Sequence, residues 1–141
     1  MNERVIMIQQ KIGEDISTFS VSPFARWMGG TLIEAEEGYV KIAIKIRKEM
    51  CNPMDILHGG VASAFMDELM GWGIFLLNRE TRYTTINLNV EFLATVKNEE
   101  EVFVETKVIR AGKKIIFNEA KILLANGKIA AKSTSSFCAI S

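Results

Sequence analysis

The chain is poor in the residues that build metal and redox sites: one histidine and two cysteines in 141 residues. Cys51 and Cys138 are far apart and form no CxxC spacing, and a single histidine cannot complete a zinc site. No metal is therefore expected. The same scarcity leaves one pairing for a cysteine nucleophile, Cys51 with His58; the alternative is two reduced, partly buried thiols. Charge of one sign is also lacking. Seventeen basic and seventeen acidic side chains cancel. They are interspersed without a basic block, which argues against a nucleic-acid surface and against a polybasic membrane anchor. Long apolar runs are absent as well. The opening MNERVIMIQQKIGED has no h-region and no small-residue cleavage site, so it does not read as a signal peptide. The longest apolar stretch holds two acids, whereas a membrane span needs about 20 residues with few or no charges. No repeat or low-complexity segment is present. A soluble, cytoplasmic protein is expected, with no membrane or nucleic-acid partner. The size and apolar content fit one folded domain over 1–141.

What is present is patterned. Val5, Ile6, Ile8 and Ile12 are spaced for a short amphipathic helix over 2–13, within an N-terminal helix and lead-in of 1–27. SPFARWMGG, with Pro23 and Gly29-Gly30, reads as irregular. In YVKIAIKIRK, Val40, Ile42, Ile44 and Ile46 alternate with polar residues, as in a strand with one buried face. TLIEAEEGYV supplies its hairpin partner, turning at Glu37-Gly38. A loop with Pro53 leads into a long helix over about 58–77. Four strands follow. The first sets Ile86, Leu88, Val90 and Phe92 against Asn87, Asn89 and Glu91; later turns fall at Ala111-Gly112 and Asn126-Gly127. The order predicts an α+β fold, with an antiparallel sheet and one dominant helix.

The chemistry concentrates in NPMDILHGGVASAFMDELMGWGIF, residues 52–75. Gly59 and Gly60 open the helix, where unpaired N–H groups and the dipole favour an anion or a developing oxyanion. Close packing is the other reason for two glycines. Asp67 lies eight residues on, roughly 12 Å along the axis at about 1.5 Å per residue. An oxyanion donor and a general base must both reach one carbonyl, so Gly59 and Asp67 of a single chain cannot serve it together. Two helices antiparallel about a two-fold can, which ties any catalytic reading to an oligomer. Ser63, Ala64, Met70 and Gly71 share the Asp67 face. Glu68 lies about 100° around the helix and reads as solvated on an outer face.

Asn52, His58-Gly59-Gly60 and Asp67, at these distances and ahead of an antiparallel strand run, resemble the hotdog-fold acyl-CoA thioesterases, in particular the phenylacetate-pathway-like (PaaI-type) branch. The resemblance covers most of the chain from SPFARWMGG onward. It implies a long helix wrapped by a curved antiparallel sheet, assembled as a dimer or tetramer. It implies that the Gly59 amide polarises the thioester carbonyl and that Asp67 of the other subunit acts as nucleophile or general base. Asn52 would orient the thioester or the water, and Thr85, or failing it Thr84, would help hold that water. His58, Gly60 and Ser63 join the substrate-binding set, His58 also being placed to brace the loop. Arg110, Gly112, Lys113 and Lys114 lie where relatives contact the nucleotide end of CoA. No cofactor is implied, CoA being part of the substrate. One departure is Asp55, where relatives commonly carry glycine. It could alter the loop or disfavour acidic acyl groups. Met66, Met70, Trp72 and Phe75 point to an aromatic or medium acyl chain. A hotdog hydratase or dehydratase and a non-catalytic acyl-CoA-binding module are the alternatives.

Overall fold

The computed structural model describes residues 1–140. Three helices, α1 (Glu3–Gln9), α2 (Pro23–Met28) and α3 (Gly59–Phe75), accompany six strands: β1 (Thr31–Glu36), β2 (Tyr39–Lys45), β3 (Arg82–Phe92), β4 (Glu101–Ala111), β5 (Ile115–Leu124) and β6 (Ile129–Ile140). They form one sheet in the order β1-β2-β4-β5-β6-β3, and every pair is antiparallel. The hairpins fall at Glu37-Gly38 and Asn126-Gly127 as the sequence predicts.

The sheet's inner face carries the residues its alternation selects: Val40, Ile42 and Ile44 from β2, Val102 and Val104 from β4, Ile116 and Ile122 from β5. Against them α3 lays Phe65, Met66, Leu69 and Met70, all fully buried. Burying such side chains stabilises by about 1.5–3 kcal/mol each before the entropy of ordering them is counted. Met66 and Met70 are therefore core, not pocket lining.

Three expectations change. The first helix stops at Gln9, and Ile12 lies in the turn beyond it, largely exposed. SPFARWMGG is not irregular: Ser22 caps α2 by accepting Ala25 N–H at 3.3 Å, and Pro23 stands in the first turn, where its missing N–H costs nothing. In β3 the alternation breaks. Thr85 pairs with Phe137 but Asn87 with Ser136, so Ile86 is an extra residue opposed by none. This bulge reverses the phase: Tyr83 and Thr85 turn inward before it, Leu88 and Val90 after it, and Ile86 is left 55% exposed.

The two edges of the sheet differ. β1 is covered by the segment before it, through Gly13 N–H to Leu32 O (2.8 Å) and Leu32 N–H to Glu14 O (3.1 Å). β3, at the opposite end, is 11 residues long and has no strand on its outer side among the described residues. The N-terminus closes α3. Asn2 caps α1 by accepting Val5 N–H at 3.1 Å and donates to Leu76 O at 2.7 Å, one of the carbonyls a helix end leaves unpaired. Asn2→Ala should lower unfolding free energy by about 1–2 kcal/mol, the upper range for a lost cap, as a shift in denaturation midpoint with an unchanged m-value.

Candidate active site

The loop before α3 is held by its own backbone. Asn52 Oδ1 accepts Met54 N–H at 2.9 Å, its carbonyl accepts Asp55 N–H at 2.9 Å, and its N–H donates to Ile56 O at 2.9 Å. Asn52 therefore folds the turn and still faces a cleft of about 220 Å³ shared with Leu57, Gly59, Ala62, Phe92 and Val96. Asp55 has φ +61°, the left-handed region that favours glycine, the residue that the family resemblance leads one to expect there. It lines a shallow pocket with Lys48, Asn52 and Asn98, separate from the cleft that holds Asp67.

His58 is the N-cap of α3. Its Nδ1 accepts Gly60 N–H at 2.9 Å and its own N–H reaches Met50 O at 2.9 Å. The bracing role fits, and the Gly60 amide is occupied by that cap. Gly59 N–H finds no acceptor among the described residues. Each glycine has a steric reason. A Cβ at Gly59 would lie 3.2 Å from the Phe92 ring, and one at Gly60 would lie 3.1 Å from the His58 ring. Ser63 Oγ donates to Gly59 O at 2.8 Å, within its own helix.

Asp67 faces β3. Thr85 Oγ1 donates to its Oδ1 at 2.9 Å, while Thr84 is exposed on the other face. The carboxylate opens into a cleft of about 540 Å³ walled by Phe19, Val21, Trp72, Phe75 and Phe137. Glu68 is in the same cleft, not on an outer face: its carboxylate accepts Trp72 Nε1–H at 3.0 Å, an i,i+4 pair that its spacing makes possible. Trp72 in turn packs edge-on against Phe19, ring centroids 6.0 Å apart. Gly59 and Asp67 thus open into different clefts of one chain.

The β4–β5 turn presents Lys113 and Lys114 to solvent, with Arg110 exposed just past a second bulge at Ile109. Gly112 is required there, because a Cβ would come within 2.6 Å of Ile115 O. No motif or period in the sequence marks Arg79 and Tyr83 as the residues that hold this turn. Arg79 donates to Gly112 O at 2.6 Å and Ala111 O at 2.9 Å, and Tyr83 Oη donates to Lys113 O at 2.9 Å. Neither residue lies at a motif spacing; only the folded chain brings them to the turn.

The surroundings of Cys51 do not favour a nucleophilic thiolate. Burial, and then the Asp55 carboxylate, push its thiol up from the ordinary value, and Sγ donates to Arg47 O at 3.4 Å. The reactive thiolate is correspondingly scarce near neutrality.

The model of the thioesterase superfamily matches residues 54–131, more than half of the chain. The chain belongs to the thioesterase superfamily. Acyl-coenzyme A thioesterase 13 of Homo sapiens is 25% identical over 111 residues, covering 77% of this chain and 79% of that protein. The E. coli PaaI protein from the phenylacetic acid degradation operon superposes with a TM-score of 0.83 at 14% identity, covering 99% of this chain and 96% of that one. A hypothetical thioesterase protein of Streptococcus pneumoniae solved with coenzyme A gives a TM-score of 0.73 at 16% identity, covering 78% and 84%. The architecture of this thioesterase-superfamily chain, one long helix laid against a six-stranded antiparallel sheet, is the hotdog fold.

In a Cys138→Ser variant, alkylation of Cys51 should rise with pH through a midpoint above that of a free cysteine. A midpoint at or below the free value would restore Cys51 as a candidate nucleophile.

Proposed function

We propose that this protein is an acyl-CoA thioesterase, hydrolysing a thioester to a carboxylic acid and free CoA. The observation that carries the reading is the division of the site. An unpaired helix-start N–H at Gly59 and a carboxylate held by Thr85 at Asp67 stand roughly 12 Å apart along one helix, too far to serve one carbonyl. They face separate clefts in one chain and converge only when a second copy is placed about a two-fold. The long open edge of β3 supports that assembly. It carries no proline and no lysine to discourage pairing, and it exposes Ile86 and Phe92. Alignment of two β3 edges continues the sheet and sets the two α3 helices side by side. A dimer or tetramer follows, with two equivalent sites per pair.

In the proposed reaction the Gly59 N–H of one protomer donates to the thioester oxygen. Asp67 of the other takes a proton from water as the water oxygen bonds to the carbonyl carbon. The tetrahedral oxyanion collapses, the C–S bond breaks, and the proton held by Asp67 passes to the departing CoA sulfur. Thr85, donating to Oδ1, fixes the carboxylate so that Oδ2 faces the water, and Asn52 orients the thioester or the water at the Gly59 side. Direct attack by Asp67 through an anhydride would use the same groups. The acyl group extends along Trp72 and Phe75, both of which line the Asp67 cleft. No cofactor is invoked. A hydratase would need His58 paired with an acid, but its Nδ1 is engaged by the Gly60 N–H. A binding module would bind acyl-CoA without releasing thiol.

Asp67→Asn should keep the fold and lower turnover by about 100-fold or more, the scale of a general base, with Glu68→Gln affecting it much less. Glu68 dominating would show that the wrong acid has been assigned. Asn52→Ala and Asp67→Asn subunits, mixed and reassembled at random, should recover about a quarter of the wild-type sites, because half of the dimers are mixed and each mixed dimer holds one intact site. Mixtures no more active than the parents, or a fully active monomer by light scattering, would sink the shared site.

The nucleotide end of CoA is assigned to the β4–β5 turn. Lys113→Ala with Lys114→Ala should raise KM for acyl-CoA with kcat nearly unchanged, the sign of lost uniform binding. The effect should shrink with salt, since exposed charges are screened over about 8–10 Å at ordinary ionic strength. An unchanged KM would place the nucleotide elsewhere.

A further inference from the structure

The β4–β5 turn has an unusual arrangement of backbone groups. Four successive carbonyls are taken up from inside the molecule. Ala111 O and Gly112 O accept from Arg79, at 2.9 and 2.6 Å. Lys113 O accepts from Tyr83 Oη at 2.9 Å, and Lys114 O accepts Ala139 N–H at 2.8 Å. Gly112 N–H closes the turn onto Ile115 O at 3.0 Å. The N–H groups of Lys113 and Lys114 find no acceptor among the described residues, and both side chains are exposed. The turn's four carbonyls are thus engaged within the chain, while two of its N–H donors and both lysine side chains are not.

Arg79 itself pairs with no carboxylate among the described residues. Its charge is met by two carbonyls and the Tyr83 hydroxyl, to which it also donates, at 3.0 Å. Dipoles of this kind hold a guanidinium without cancelling its charge. The planar fork reaches two adjacent carbonyls at once, which a lysine ammonium cannot reproduce in the same geometry. Successive backbone N–H groups pointing one way form an anion-binding concavity.

We infer that Arg79 is a positioning residue, which with Tyr83 holds the Ala111–Lys113 carbonyls so that the turn offers N–H groups and lysines to the phosphates of the substrate's nucleotide. The inference rests on the acyl-CoA reading above and adds to it the device that shapes the phosphate site. Tyr83 lies on β3 two residues before Thr85 and on the same face, so one strand braces both the turn and the Asp67 carboxylate.

The test uses adenosine 3′,5′-bisphosphate as the probe in calorimetry, alongside kinetics on acyl-CoA and on the matching acyl-N-acetylcysteamine thioester, which lacks the nucleotide. Arg79→Gln and Arg79→Lys should both weaken the probe about tenfold or more, the scale of lost charge-assisted hydrogen bonds. Each should raise KM for acyl-CoA by a similar factor and leave kcat and the N-acetylcysteamine thioester little changed. Tyr83→Phe, which removes only the Lys113 tether and the bond from Arg79, should have the same pattern at smaller size. Wild-type affinity in Arg79→Lys would overturn positioning, because charge alone would then suffice. An equal loss on the N-acetylcysteamine thioester would overturn it too, by showing general loosening of the fold. If the wild type hydrolyses acyl-CoA but does not bind the probe, this inference fails while the thioesterase reading stands. If the probe binds in the expected order and no acyl-CoA is hydrolysed, the thioesterase reading fails and the role of Arg79 stands.

Discussion

Thr85 reaches Asp67 because β3 carries one residue more than the strand it pairs with. Without the extra residue at Ile86, the two-residue period would place Thr85 in phase with Asn87 and Asn89, which are exposed. With it, Thr85 turns toward α3 and donates to the carboxylate at 2.9 Å. The bulge has a second consequence. It leaves Ile86 exposed on an edge strand that no strand covers among the described residues. An isolated exposed isoleucine means little, but on an 11-residue open edge it favours a partner strand. The residue that aims the threonine is thus also one that makes the proposed two-fold assembly favourable, so site geometry and assembly depend on the same insertion.

Much of the architecture could be read directly from the chain. The hairpin turns, the buried face of β2 and the central helix all followed from local periods and turn residues, because those signals are properties of contiguous sequence. The bulges at Ile86 and Ile109 did not, since an extra residue is defined only against the partner strand, and beside Ile86 that partner, Ser136, lies 49 residues beyond Asn87. Helix α2 was missed for a different reason. Pro23, taken with Gly29-Gly30 as a mark of irregular structure, instead opens the helix behind the Ser22 cap. At the site, Gly59 and Asp67 were marked by helix position and spacing, Asn52 and Thr85 through a family resemblance. The bonds around them, and the whole of the Arg79 and Tyr83 brace, came only from the folded chain.

Two carboxylates in one cleft need not be equivalent. Asp67 is held by a hydroxyl, which can also contact water; Glu68 is held by the indole of Trp72, which can only donate. Glu68 therefore fixes a wall: it pins Trp72, which packs against Phe19 and so ties the lead-in segment to α3. Asp67 lies on the strand side, nearer the open edge. The division of roles follows from the partners that each acid finds, although the two are adjacent in sequence and line the same cavity.

The helix entrance shows why an unpaired N–H can persist at Gly59. The backbone around it is held by other bonds. Asp55 takes Asn98 through both its side chain and its carbonyl, each at 3.1 Å, and so holds a left-handed conformation that glycine would adopt without help. Leu57 N–H is fixed to Val96 O at 2.7 Å and His58 N–H to Met50 O at 2.9 Å, while the His58 ring is spent on Gly60. The carbonyl of Gly59 is engaged by Ser63. A loop pinned from so many sides cannot relax to satisfy one more donor, and the cost of leaving it open is spread over the bonds that hold the loop. That is the condition for stabilising an oxyanion: the donor is already in place and no reorganisation is needed when charge develops. Asp55, through its two bonds to Asn98, is one of the residues that hold this loop.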